Sequence, residues 1–123
     1  MEITFGAFIN QKRSGKGLTL REFSKLIEIS PEYLSKIENG LRSAPQNNIL
    51  EKMADKLYLN VEERELLFDL AAKSKPYLSL ASDLVEYINE NEIVHKTLRL
   101  AKRCELTNEE WQKFFEQIFE THL

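Results

Sequence analysis

The chain has one cysteine, Cys104, among 123 residues. That excludes an internal disulfide and any zinc site built from cysteines. The expected place for the lone thiol is the interior, packed as a small hydrophobe. Histidine is almost as scarce. His95 and His122 stand far apart in sequence and no third ligand is evident, so neither a metal nor a cofactor is expected. No apolar run approaches the ~20 residues that span a bilayer, and the first residues lack the apolar core of a signal peptide. The expectation is a cytoplasmic protein with no membrane contact. A Gly-rich phosphate loop, a nucleophile elbow and a His-Glu metal helix are also missing, and the chain is not expected to be an enzyme.

Hydrophobic residues make up 42% and charged residues 30% of the chain, the balance of a globular protein rather than a disordered one. Its length holds one domain, or one small domain plus an appendage. The net charge of −3 conceals an asymmetry. Residues 1–44 carry seven Lys/Arg against five Glu, a net +2; residues 45–123 carry ten Lys/Arg against fifteen Asp/Glu, a net −5. A mildly basic front and an acidic back suit a chain whose front meets an anion.

Apolar residues recur at helical spacing, and no useful stretch alternates with strand period, so the fold class is all-α. Phe5, Phe8 and Ile9 open a first helix, running to about Arg13, and "SGKG" (14–17) ends it. Thr19 is a plausible N-cap for "LREFSKLI". Ser30 caps a third helix, Pro31 suits its first position and Gly40 ends it. A fourth helix follows Pro45, with Ile49, Leu50, Met53, Ala54 and Leu57 as its stripe. Asn60 caps a fifth, expected to bury Val61, Leu66, Leu67 and Leu70. "KSKP" (73–76) is the best boundary, because Pro76 disfavours helix at the residue before it. The expected division is 1–75 and 76–123. Three more helices are expected at about 79–89, 93–104 and 108–121, the last opened by a capping box of Thr107 and Glu110.

The third helix, "SPEYLSKIENG" (30–40), is poorly suited to full burial. Leu34 and Ile37 share one side; Glu32, Ser35, Lys36 and Asn39 project from the other, with Tyr33 on the flank. A short connection joins it to the helix before, where Phe23, Ile27 and Ile29 supply packing and small Ser24 permits close approach. That pattern describes a helix-turn-helix, whose second helix offers its N-terminal residues to the major groove of DNA.

"LTLREFSKLIEISPEYLSKIENGLRSAP" (18–45) resembles the phage-repressor/Cro-like, or Xre, family of helix-turn-helix regulators. Ser24, Ile27, Ile29, Leu34, Ile37, Glu38, Asn39 and Gly40 match the family pattern. The resemblance implies a five-helix lambda-repressor-like domain over about 3–74, followed by a small C-terminal helical segment. It places Pro31, Glu32, Tyr33, Ser35 and Lys36 toward base edges, and Thr19, Asn39, Arg42 and Ser43 toward phosphates. Lys36 can donate to guanine O6 or N7, and Glu32 can accept from cytosine N4. Lys12 and Lys16 are further candidates for phosphate contact, and Lys16, like Lys25, also reads as a solvated surface charge. Tyr33 has a second reading, as packing along the helix edge. Arg13 and Glu38 look like surface charges, yet in this family they match a buried ion pair joining helices one and three. Two positions depart from the pattern. Leu20 stands where the family usually has a phosphate-binding Gln, and Glu28 stands in the turn where it favours Gly.

Trp111, Phe114, Phe115, Ile118 and Phe119 form one broad apolar stripe at the C-terminus. The stripe is expected to pack as a satellite core against the two preceding helices, and its surplus suits dimerisation. "HKTLRLAKRC" (95–104) gathers Lys96, Arg99, Lys102 and Arg103. It reads either as a second DNA contact or as a solvated face paired with the acidic last helix. The resulting expectation is a sequence-specific transcriptional regulator, a repressor binding double-stranded DNA at a palindromic operator as a homodimer. The alternative is an antitoxin or other interaction module whose residues 76–123 bind a partner protein.

Overall fold

A computed structural model describes residues 2–123, and its regular structure is helical throughout. Eight helices follow in order among the described residues: α1 (Phe5–Gly15), α2 (Leu20–Leu26), α3 (Pro31–Glu38), α4 (Asn47–Lys56), α5 (Val61–Lys73), α6 (Ser82–Glu90), α7 (Glu92–Arg103) and α8 (Asn108–His122). Four of the starts share a local cause. Thr19, Ser30, Asn60 and Thr107 accept a hydrogen bond from the backbone N–H three residues on. Glu22, Glu63 and Glu110 return the contact and complete capping boxes. No helix among the described residues is long and apolar enough to cross a membrane.

The helix ends share one device. After α1, α2, α3, α4 and α7 the chain turns through a residue with positive φ: Gly17, Glu28, Gly40, Tyr58 and Glu105. The next N–H then reaches back to a carbonyl in the last turn, as in Ile29 N to Ser24 O and Leu41 N to Lys36 O. Glycine adopts this conformation freely, whereas Glu28, at φ 61°, carries a steric cost. Its exposed pairing with Lys52 contributes little against that. Glu28→Gly is therefore expected to raise the melting temperature by a few degrees in a calorimetric scan.

The chain forms two compact units, one ending at Val85 and one spanning Glu86–Leu123. In the first, Phe5, Phe8 and Ile9 of α1, Phe23 and Ile27, and Leu34 and Ile37 of α3 meet Leu50, Met53 and Leu57 in one core. Leu67, Phe68, Leu70 and Ala71 complete it from α5. This corrects the expected face of α5: Val61 and Leu66 point outward, and Phe68 takes the interior position. The unit runs past Pro76 because Ala81 is buried in the same core and Ser82 donates to Asn47 Oδ1.

In the second unit, α7 and α8 join through a short turn at Cys104–Thr107. Ala101 is buried and Val94 half-buried. Cys104 is exposed, against the expectation of a buried thiol, because it caps the C-terminus of α7 rather than lying on its packed side. The α8 stripe is not a closed satellite core either. Trp111 shares a shallow concavity with Ile93, Val94, Thr97 and Leu98, yet Phe115 is 63% and Ile118 61% exposed.

Candidate DNA interface

α3 is held from two sides. Its apolar residues, Leu34 and Ile37, are 0% and 1% exposed, so its inward face is wholly used. Its C-terminal end is fixed to α1 by Gly6, Asn10 and Arg13, which recur at i, i+4 and i+7 and so share one face of α1. At Gly6 the two backbones nearly touch. A Cβ there would lie 2.4 Å from Ile37 O and 2.6 Å from Glu38 O. Asn10 Nδ2 donates to Glu38 Oε1 at 2.8 Å. Arg13 donates to both carboxylate oxygens of Glu38, through Nε at 2.8 Å and Nη2 at 2.9 Å. Its Nη1 donates to Leu18 O at 2.7 Å, which ties in the turn before α2.

The Arg13–Glu38 pair is nearly buried, with side chains 11% and 5% exposed. Three N–H donors satisfy the carboxylate, which is the condition for a buried charge to persist. The hydrogen bond to Glu38 raises the Arg13 pKa above its ordinary value, against the opposing effect of burial. Both groups are therefore occupied inside the fold and do not face outward.

The other face of α3 is open. Ser30 Oγ accepts from Tyr33 N, and Pro31 follows at the first helical position. Glu32 and Lys36 are exposed; Pro31, Tyr33 and Ser35 are half-buried. Tyr33 also packs against the core, so it covers the helix edge. Glu32 and Lys36 stand at i, i+4, where such residues often pair, yet neither forms an ion pair with a described residue. Their charged ends are open to solvent.

Asn39 Nδ2 donates to Ser35 Oγ at 3.4 Å, coupling the end of α3 to its middle. Asn39, Arg42 and Ser43 line one cleft of about 480 Å³ with Gly6, Glu38 and Lys73. Thr19 lies apart from that cleft, at the start of α2. Its hydroxyl oxygen accepts from Glu22 N, and its side chain also bonds the Glu22 carboxylate within the same capping box. Lys12 is engaged with Glu63, and Lys16 lies over the Tyr58 ring at 5.5 Å. Both cations thus have partners inside the protein. Leu20 is half-buried against the core.

Sequence reasoning missed Gly6 and Asn10. The signal was present as a small and polar row, Gly6–Asn10–Arg13, running beside the apolar row of Phe5, Phe8 and Ile9. Its meaning required knowing that this row faces α3.

The sequence profile of the helix-turn-helix family matches residues 9–66. Comparison with curated proteins gave no match. Among solved structures, a chain of a "SinR protein/SinI protein complex" is similar, with a TM-score of 0.50 and 21% identity, covering 98% of this chain and 100% of that chain. That likeness concerns the fold. The matched segment holds α2, α3 and the brace from Arg13 to Glu38, so the resemblance to the helix-turn-helix family covers residues 9–66.

Proposed function

We propose that the chain is a cytoplasmic, sequence-specific repressor that binds a palindromic operator as a homodimer. Residues 1–75 are the DNA-binding domain in this reading. Pro31, Glu32, Tyr33, Ser35 and Lys36 meet base edges, and Thr19, Asn39, Arg42 and Ser43 meet phosphates. The observation that carries it is the two-sided nature of α3: Leu34 and Ile37 fully buried, Glu32 and Lys36 exposed and in no ion pair with a described residue. A helix so mounted can present fixed donors and acceptors without losing core packing. Lys36→Ala is expected to weaken binding to the cognate site by about 1–3 kcal/mol, with little change on random duplex. A fluorescence titration on both duplexes checks this, and equal losses on the two would contradict base reading by Lys36.

One recognition helix reads few base pairs, so two copies are needed for two half-sites. Residues 76–123 supply the joining surface here. Trp111 and Phe114 pack ring to ring at 5.8 Å, and Phe115 and Phe119 at 6.3 Å, yet these four and Ile118 remain 39–63% exposed. So large an apolar face calls for a covering partner. The double variant Phe115→Glu/Ile118→Glu removes little packing within one chain, since both residues are mostly exposed. It is expected to sediment as a folded monomer where the wild type sediments as a dimer. A persistent dimer would place the interface elsewhere.

The same exposed face supports a second reading, in which residues 76–123 bind a different protein, as in an antitoxin. The similar solved chain comes from a complex of two differently named proteins. A monomeric wild type, at concentrations where a dimer should form, would favour this reading.

A further inference from the structure

Unit Glu86–Leu123 carries five Lys/Arg and eight Glu, a net −3. In so acidic a unit, cations would ordinarily be neutralised by neighbours. α7 does the reverse. Lys96, Arg99, Lys102 and Arg103 fall within about 120° of its circumference, given 3.6 residues per turn. All four are exposed. Lys96 pairs with Glu92 on the same helix at 3.2 Å. Arg99, Lys102 and Arg103 form no ion pair with any described residue. The carboxylates of α8 are not spent on them: Glu109, Glu116 and Glu120 share the face of α8 opposite its apolar row. The expectation of a solvated face paired with the acidic last helix is thus not met. Glu92 shares this face and pairs with Lys96, which leaves Arg99, Lys102 and Arg103 as its unpaired cations among the described residues.

We infer that the basic face of α7 is a second, sequence-independent contact for duplex DNA, binding phosphates that flank the site read by α3. This rests on the DNA-binding reading above. Charge complementarity selects the occupant, since a duplex offers a dense row of negative charges along which an arginine-containing stripe can bind without reading bases. The stripe also lies on a different side of α7 from Ile93, Val94 and Ala101, so a partner covering the apolar side leaves it free. Being on the same chain as α3, it meets the flanking phosphates at high effective concentration once α3 is bound. Phosphate contacts carry no sequence code, so this face adds affinity and salt dependence rather than specificity.

The test uses the full chain and the triple variant Arg99→Gln/Lys102→Gln/Arg103→Gln. Glutamine is a good helix former and the three sites are exposed, so α7 is expected to persist, with an unchanged thermal melt as the check. Affinity is measured against salt on a duplex of roughly 60 base pairs carrying the site selected by the wild type, and on the same site trimmed of its flanks. Three lost phosphate contacts should make the slope of log K against log salt shallower by about two to three on the long duplex. The trimmed site should bind both proteins alike. Equal slopes on the long duplex would overturn the inference. So would an equal loss on both duplexes, which is the general effect of net charge. If the wild type binds no duplex, the DNA-binding reading and this one fall together; if it binds and the variant behaves identically, only this one falls.

Discussion

Gly6→Ala is expected to loosen or unfold the DNA-binding unit, although alanine is ordinarily the better helix residue by about 1 kcal/mol. The added methyl would sit 2.4 Å from Ile37 O and 2.6 Å from Glu38 O. Both obstacles are backbone, so no rotamer relieves them. α1 and α3 must part. Ile37 O also accepts from Gly40 N, so the end of α3 is disturbed as well. A loss of about 3 kcal/mol is expected, at the upper end of overpacking costs. Gly15→Ala supplies the control, because a Cβ there meets nothing within 4 Å. It should leave stability unchanged or raise it slightly. Urea denaturation of the two variants measures the contrast directly. Equal stability would mean that α1 and α3 approach less closely than described.

Breaking the Arg13–Glu38 pair is expected to cost about as much or more. Arg13→Met leaves a carboxylate nearly buried with only Asn10 as donor, and such losses typically run to about 3–5 kcal/mol. Glu38→Leu strands the guanidinium instead. The double variant Arg13→Met/Glu38→Leu removes both charges, and it is expected to recover much of the loss. A thermodynamic cycle from thermal or urea melts measures that coupling. Additive single losses would show that the two side chains act independently. The functional consequence follows from position. Glu38 is the last residue of α3, and its clamp to Arg13 of α1, which itself donates to Leu18 O, fixes where Glu32 and Lys36 point. A stable variant with a released pair should bind its cognate site less tightly than its folded fraction accounts for.

Much of the fold was legible because its signals are local. Thr19, Ser30, Asn60 and Thr107 are caps that need no tertiary knowledge, and all four accept the backbone bond their position suggests. Leu34 and Ile37 against Glu32 and Lys36 could be sorted by helical spacing alone. What was not legible depends on which surfaces meet. Val61 satisfies the apolar spacing of α5 but lies at its first turn, beyond the reach of the core, whereas Phe68 lies within it. Tyr58 and Glu105 end helices in a conformation usually given to glycine, and nothing in their chemistry announces it. Gly6 matters because of a neighbour 31 positions away. Cys104 and the α8 aromatics were expected inside because apolar residues usually are. Within Glu86–Leu123, two helices offer too little surface to cover a stripe of that width.

The most direct measurement is selection of bound duplexes from a random library by the full chain, at near-physiological salt. The expected result is a palindrome whose half-sites lie about one helical turn, roughly 34 Å, apart. Recovery of no consensus, with only salt-sensitive background binding, would contradict it and mean that the open face of α3 meets something other than an operator.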